Sequence, residues 1–221
     1  MAVAGSGFDS NLSAQNAGSP SNFASLPATL MEVDSISSKF QEYTVLKNEY
    51  VTESRIKSLN LSEYKYIHFA THGVVNHDNP NQSGLILSQR NETETIFGED
   101  GLLNSSEISF LKLNADLVVL SACNSGFGNN INGEGLMGLQ RSFLKAGASS
   151  VLVSLWSVFD KSTSMLMSDF YRNLELLEKT EMGWWDKTLQ YFNRYEAPLF
   201  GYKEKALKNA KISMINHPYY S

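Results

Sequence analysis

Only one of the 221 residues, Cys123, is a cysteine, so no disulfide can form within the chain. No run of eighteen or more apolar residues occurs, which leaves no ordinary membrane-spanning helix to predict. Positive charge is in deficit: 18 Lys and Arg stand against 23 Asp and Glu, a formal net charge of −5. The broad basic field of a nucleic-acid backbone binder is therefore missing, and no direct contact with nucleic acid or membrane is expected. Residues 1–20 lack the basic stretch and apolar run of a secretory leader. A reducing, cytoplasmic location follows, with Cys123 as a free thiol. Histidine is scarce too, and the pair His77 and Asp78 has no second His or Cys cluster to complete a metal site. The expectation is no metal and no cofactor. What the chain does have is size and 42% hydrophobic residues. A chain this long buries about 70% of the surface its unfolded form exposes, enough for a core without metal or disulfide.

Residues 1–25 are rich in Ser, Gly, Asn and Ala without an apolar period and read as a flexible leader or linker, with one domain over 26–221. Order is expected to begin near Leu26, because Thr29 to Glu32 has capping-box spacing and Leu30, Val33 and Ile36 share one helical face. Tyr43–Leu46 is β-prone, and Thr52 can cap a helix carrying Ile56 and Leu59. Three near-continuous apolar runs follow: Tyr66–Ala70, Leu117–Leu120 and Val151–Trp156. Strands buried on both faces have this composition, so these are read as central parallel strands. Between the first two lie a β-prone Leu85–Leu87 and a second capping-box signature at Asn104–Glu107. Between the second and third, Leu136, Leu139, Phe143 and Leu144 have helical spacing, with Gly147 as C-cap, which makes a βαβ unit. A further helix is expected over Asp160–Leu177, with Met165, Leu166, Phe170, Tyr171, Leu174 and Leu177 inward. The aromatic segment 178–202 has no clean period and reads as an insertion, followed by a basic amphipathic helix over Lys203–Ile215.

Two stretches place a reactive side chain just after a buried strand: His68-Phe69-Ala70-Thr71-His72-Gly73 and Leu120-Ser121-Ala122-Cys123-Asn124-Ser125-Gly126. In an open parallel sheet the crevice beyond the strand C-termini is where ligands bind and where groups from neighbouring strands converge. His72 and Cys123 are thus candidate neighbours. An imidazole beside a thiol raises its reactivity by taking the proton or stabilising the thiolate, so the pair reads as nucleophile and acid/base partner. The amides of Gly73 and Cys123 are the candidate oxyanion donors.

The fuller wording of these stretches, with Asp100-Gly101-Leu102-Leu103, Gly133-Glu134-Gly135, Phe143 to Ala148, Ser154-Leu155-Trp156-Ser157-Val158-Phe159-Asp160 and His217-Pro218-Tyr219-Tyr220, resembles a CHAT domain, a branch of the caspase and separase clan. The resemblance runs over about 26–177 and resumes at 217–220. It implies a three-layer α/β/α caspase-like fold around a mainly parallel sheet. It implies a cysteine endopeptidase in which His72 and Cys123 cut protein substrates through a thioester. It also assigns Asp160 to the pocket of a basic P1 side chain, which an aspartate suits by pairing with a guanidinium fork. Asn124 and Ser157 join it as substrate-binding positions. Expected partners are a protein substrate and a regulatory protein or tetratricopeptide-repeat region, with an RNA-guided defence complex as another form of control. Family sequences continue past the final tyrosines into a strand beginning with tryptophan, so the last strand is expected to be absent here.

Competing readings stay open. Asp160 precedes an apparent helix and could be a plain N-cap, and Glu134 could be a helix-start charge. His68 reads as structural. The whole domain could be a catalytically inactive interaction module in a signalling or defence complex, or Cys123 a redox-sensing thiol.

Overall fold

The computed structural model describes residues 2–5, 27–76, 79–88, 99–121, 134–153, 160–189 and 201–215. They separate after Asp160 into two compact units.

The first unit is built on a parallel sheet of five strands in the order β2-β1-β3-β7-β8: β1 (Ala2–Gly5), β2 (Thr44–Lys47), β3 (Tyr66–Ala70), β7 (Leu117–Leu120) and β8 (Val151–Val153). Every pairing in it is parallel, with Phe69 opposite Leu120 and Leu120 opposite Val153. All five residues of β3 and all four of β7 are buried, as their unbroken apolar composition requires. A second sheet, antiparallel and three-stranded, consists of β4 (Gly73–Val74), β5 (Gly84–Ile86) and β6 (Leu102–Asn104).

Alternation along β3 gives the parallel sheet two different faces. Ile67 and Phe69 join Val118 and Leu120 in the main apolar cluster. On that face lie α2 (Glu53–Ser58) through Ile56, α3 (Ser105–Ile108) through Ile108, and α4 (Glu134–Lys145), whose Phe143 ring packs 5.7 Å from Phe69. On the other face α1 (Pro27–Ser37) packs against β1, β2 and β3. The result is the expected α/β/α layering around a mainly parallel sheet. The C-terminus of α4 closes as the glycine signal suggested. Ala148 N donates to Phe143 O and Gly147 N to Leu144 O, the Schellman pair of bonds, with Gly147 at φ +113.

Three elements depart from the sequence reading. Ala2–Gly5, expected within a flexible leader, form β1 between β2 and β3. Four small residues carry no periodic signal; their hydrogen bonds come from strands distant in sequence, which local propensity does not register. The helix α1 begins at Pro27, so Thr29 and Glu32 lie inside it and form no capping box. Glu32 instead crosses to the sheet, its Oε1 2.9 Å from His68 Nε2, with both side chains buried. Finally, the helix expected to end at Leu177 continues to Leu189.

That helix, α5 (Asp160–Leu189), opens the second unit, and α6 (Tyr202–Ile215) follows it. Among the residues of α5 whose burial is described, Thr163, Met167, Phe170, Tyr171 and Leu174 are buried, one stripe at helical spacing. Met167 completes it, whereas Met165, Leu166 and Leu177, also expected inward, are half-buried. Phe170 and Tyr171 meet edge to face at 5.2 Å. On α6 the buried positions are Tyr202, Ala206 and Ala210, again four residues apart.

Candidate active site

His72 stands where the chain leaves the parallel sheet for the antiparallel one, between β3 and β4. It is 3% exposed. Its carbonyl accepts from Ile86 N at 2.8 Å, and the Thr71 hydroxyl donates to Ile86 O, so the turn is fastened to β5 through both main-chain groups of one residue. The ladder then fixes the orientation of the next residue. Opposed residues of an antiparallel pair alternate between hydrogen-bonded and non-hydrogen-bonded positions. Gly73 is opposite Leu85 and Val74 opposite Gly84. The Ile86–His72 bond makes the flanking pair the hydrogen-bonded one, so the Gly73 N–H points away from β5.

The β5–β6 pairing beneath this turn is close. A Cβ on Gly84 would lie 2.5 Å from Leu103 O and 2.8 Å from Asn104 Cα, so only glycine fits between the strands there. Asn104 also carries the capping box foreseen at the start of α3: its Oδ1 accepts from Glu107 N, and Glu107 Oε2 accepts from Asn104 N.

On the neighbouring strand, Ser121 N donates to Phe69 O at 2.9 Å, the bond that closes the last register pair, Phe69–Leu120. His72 is three residues beyond the first of these and Cys123 three beyond the second. Cys123, Asn124 and Ser157 lie outside the described residues, as do His77, Asp78 and the segment 217–220. Asp160 is the first residue of α5. Glu134 holds the same position in α4. Their side chains, like those of Trp184 and Trp185, are outside what is described.

His68, two residues behind the end of β3, belongs to the opposite face and to Glu32, and so is structural. The cluster that sequence reasoning overlooked is built on α2. Glu53, 1% exposed, accepts from the Gly101 amide at 2.7 Å through Oε1 and from Lys57 Nζ at 2.9 Å through Oε2. The same ammonium reaches Glu107 Oε1 at 2.8 Å and Glu99 Oε1 at 3.4 Å. Burial pushes the Glu53 carboxyl up from 4.5 to about 7, and the Glu107 charge adds to the rise, against the pull of Lys57 and the Gly101 amide. For Lys57 burial works downward, but hydrogen bonds from the ammonium to Glu107 and Glu53 outweigh it and its pKa is raised. The (i, i+4) spacing of Glu53 and Lys57 was a visible signal; that the carboxylate would be buried was not. Among the described residues no group of three or more His, Cys, Asp or Glu is placed to hold a metal ion. Nor is any helix among them long and apolar enough to cross a membrane.

This architecture, a parallel sheet whose strand ends carry a His-Gly turn and a Ser-Ala-Cys run, is that of a caspase-like α/β domain. The family model described as "CHAT domain" matches residues 2–181, and the chain belongs to that family, whose caspase-like members are generally peptidases. Part of the chain is also similar to tetratricopeptide repeat protein 28: 40% identical over 73 residues to the protein of Mus musculus and 37% over 73 residues to that of Homo sapiens. The match takes in 33% of this chain and about 3% of the length of those relatives.

Proposed function

We propose that this chain is a cysteine endopeptidase working through a His72–Cys123 dyad. The observation that carries the reading is the parallel pairing of β3 with β7 in the register Phe69–Leu120, from which both candidate groups are three residues removed along the chain. In the proposed reaction Cys123 Sγ attacks the scissile carbonyl and its proton passes to His72. The Gly73 and Cys123 amides stabilise the oxyanion. His72 then protonates the leaving amine, and water hydrolyses the thioester. The outward N–H of Gly73 supports its part in this scheme, since it is not engaged with β5. Asp160 selects a basic P1 side chain, with Asn124 and Ser157 lining the substrate path. A tetratricopeptide-repeat region or other regulatory protein controls access, a reading that accords with the names of the two relatives. An RNA-guided complex is a further candidate for that control, and the cytoplasm is the proposed location.

The burial of His72 favours one rival reading, a non-catalytic caspase-like interaction module whose histidine only braces the turn. Reporters with Arg, Lys, Asp or Leu at P1, with candidate activators supplied, separate the two. Wild type should cleave the Arg or Lys reporters, and Cys123→Ala and His72→Ala should each lose at least about 10³-fold in rate, as for removal of one member of a catalytic unit. Equal rates for wild type and Cys123→Ala would leave the interaction module standing. Preference for the Asp or Leu reporter would remove the role given to Asp160.

A further inference from the structure

We propose that Glu53 is a positioning residue for the His72 turn, acting through the Gly101 amide and the Leu87–Ile86 main chain. The connection is continuous and each bond is short. Glu53 Oε1 accepts from Gly101 N at 2.7 Å, Gly101 O accepts from Leu87 N at 2.7 Å, and the adjoining Ile86 N donates to His72 O at 2.8 Å. No side chain other than Glu53 takes part until Thr71, whose hydroxyl closes on Ile86 O.

Around the carboxylate the charges come from three elements: Lys57 on its own helix α2, Glu107 on α3, and Glu99 in the segment before β6. One ammonium thus draws three carboxylates together, and Lys57 holds Glu53 in the geometry that Gly101 requires. A buried acid surrounded in this way is costly for folding alone, because a neutral or apolar group would fill the same space without desolvating a charge. Its placement makes sense for what it holds. The Gly101 amide is buried at the end of a long connection, and without an acceptor there the segment can leave Leu87, which frees β5 to slide under His72. Glu53 is not proposed to touch substrate.

The inference rests on the peptidase reading only in treating the position of His72 as functional, so the test reads position directly in the full chain. In Glu53→Ala, amide exchange at Gly101, Leu87 and Ile86 should quicken at least tenfold, and the His72 ring resonance should shift or broaden. The His68 ring resonance and the amides of Tyr66 to Phe69 should stay as in wild type, because Glu32 holds that face independently. Glu53→Gln keeps an acceptor for Gly101 and should restore the wild-type pattern. Glu53→Asp, one methylene short of Gly101, should behave like Glu53→Ala and serves if the alanine variant does not fold. Unchanged exchange at Leu87 and Ile86 would overturn the proposal, as would His68 and His72 moving together. Where the peptidase reading holds, Glu53→Ala should lower kcat with little change in KM, and Glu53→Gln should recover it; a wild type without activity leaves the exchange and resonance outcomes to decide.

Discussion

Replacing Glu53 with glutamine should flatten part of the pH dependence of stability, and the size of the effect follows from one buried carboxyl. In the fold its pKa stands near 7 against an ordinary 4.5. The folded state therefore holds this proton more tightly than the unfolded chain. The stability the group contributes is fully present below pH 4.5 and is lost as the pH rises through about 7. At about 1.4 kcal/mol per unit, the loss between pH 4.5 and 8 is on the order of 3 kcal/mol. Glutamine, with the acid's shape and no charge, keeps the Gly101 bond and does not titrate. Urea denaturation followed by far-UV circular dichroism at pH 5, 6, 7 and 8 yields the difference between wild type and Glu53→Gln at each pH. That difference should move by about 2–3 kcal/mol across the series, with the glutamine protein gaining relative stability towards pH 8. Parallel pH curves would refute the reasoning. Movement in the opposite direction would mean that Lys57 outweighs burial and holds the carboxyl ionised, since the two effects oppose one another at this site.

Two further substitutions probe the frame around the turn. Glu32→Ala removes the carboxylate that meets the buried His68 ring and should cost about 1–3 kcal/mol in urea unfolding, with Glu32→Gln milder because it retains an acceptor. Gly84→Ala forces a methyl group against the Leu103 carbonyl and should cost about 1–3 kcal/mol, accompanied by faster amide exchange in β5 and β6; wild-type stability would show that the strands part freely.

Where a segment carries its own reason for its conformation, its structure was readable in advance. Tyr66–Ala70 and Leu117–Leu120 are β-rich and apolar throughout, and they became β3 and β7 with those bounds. The Asn104–Glu107 signature produced a capping box because both of its bonds close within four residues. Thr52 likewise caps α2, accepting from Arg55 N. Thr29 and Glu32 show the same spacing without that outcome. Pro27 starts the helix two residues earlier, and a buried histidine on β3 offers the carboxylate a stronger partner than a helix end does. At residues 2–5 the sequence is small and featureless, and only the open hydrogen-bonding edges of β2 and β3 explain a strand there.

The candidate site divides along the same line. His72, Gly73 and Cys123 were conspicuous because each follows a buried strand in a chain with one cysteine and little histidine. Glu53 was not, since an exposed (i, i+4) pair with Lys57 and a buried one have the same spelling. The sequence alone determined the layered α/β class, the two strands that lead to the candidate dyad and the single sulfur available for it, because hydrophobic period, strand composition and residue chemistry are local properties. Only the tertiary structure decided that β3 lies beside β7, that the Gly73 N–H turns away from β5, and that a glutamate from α2 holds the segment under His72. Those are contacts between residues far apart along the chain, and they depend on which surfaces the core brings together.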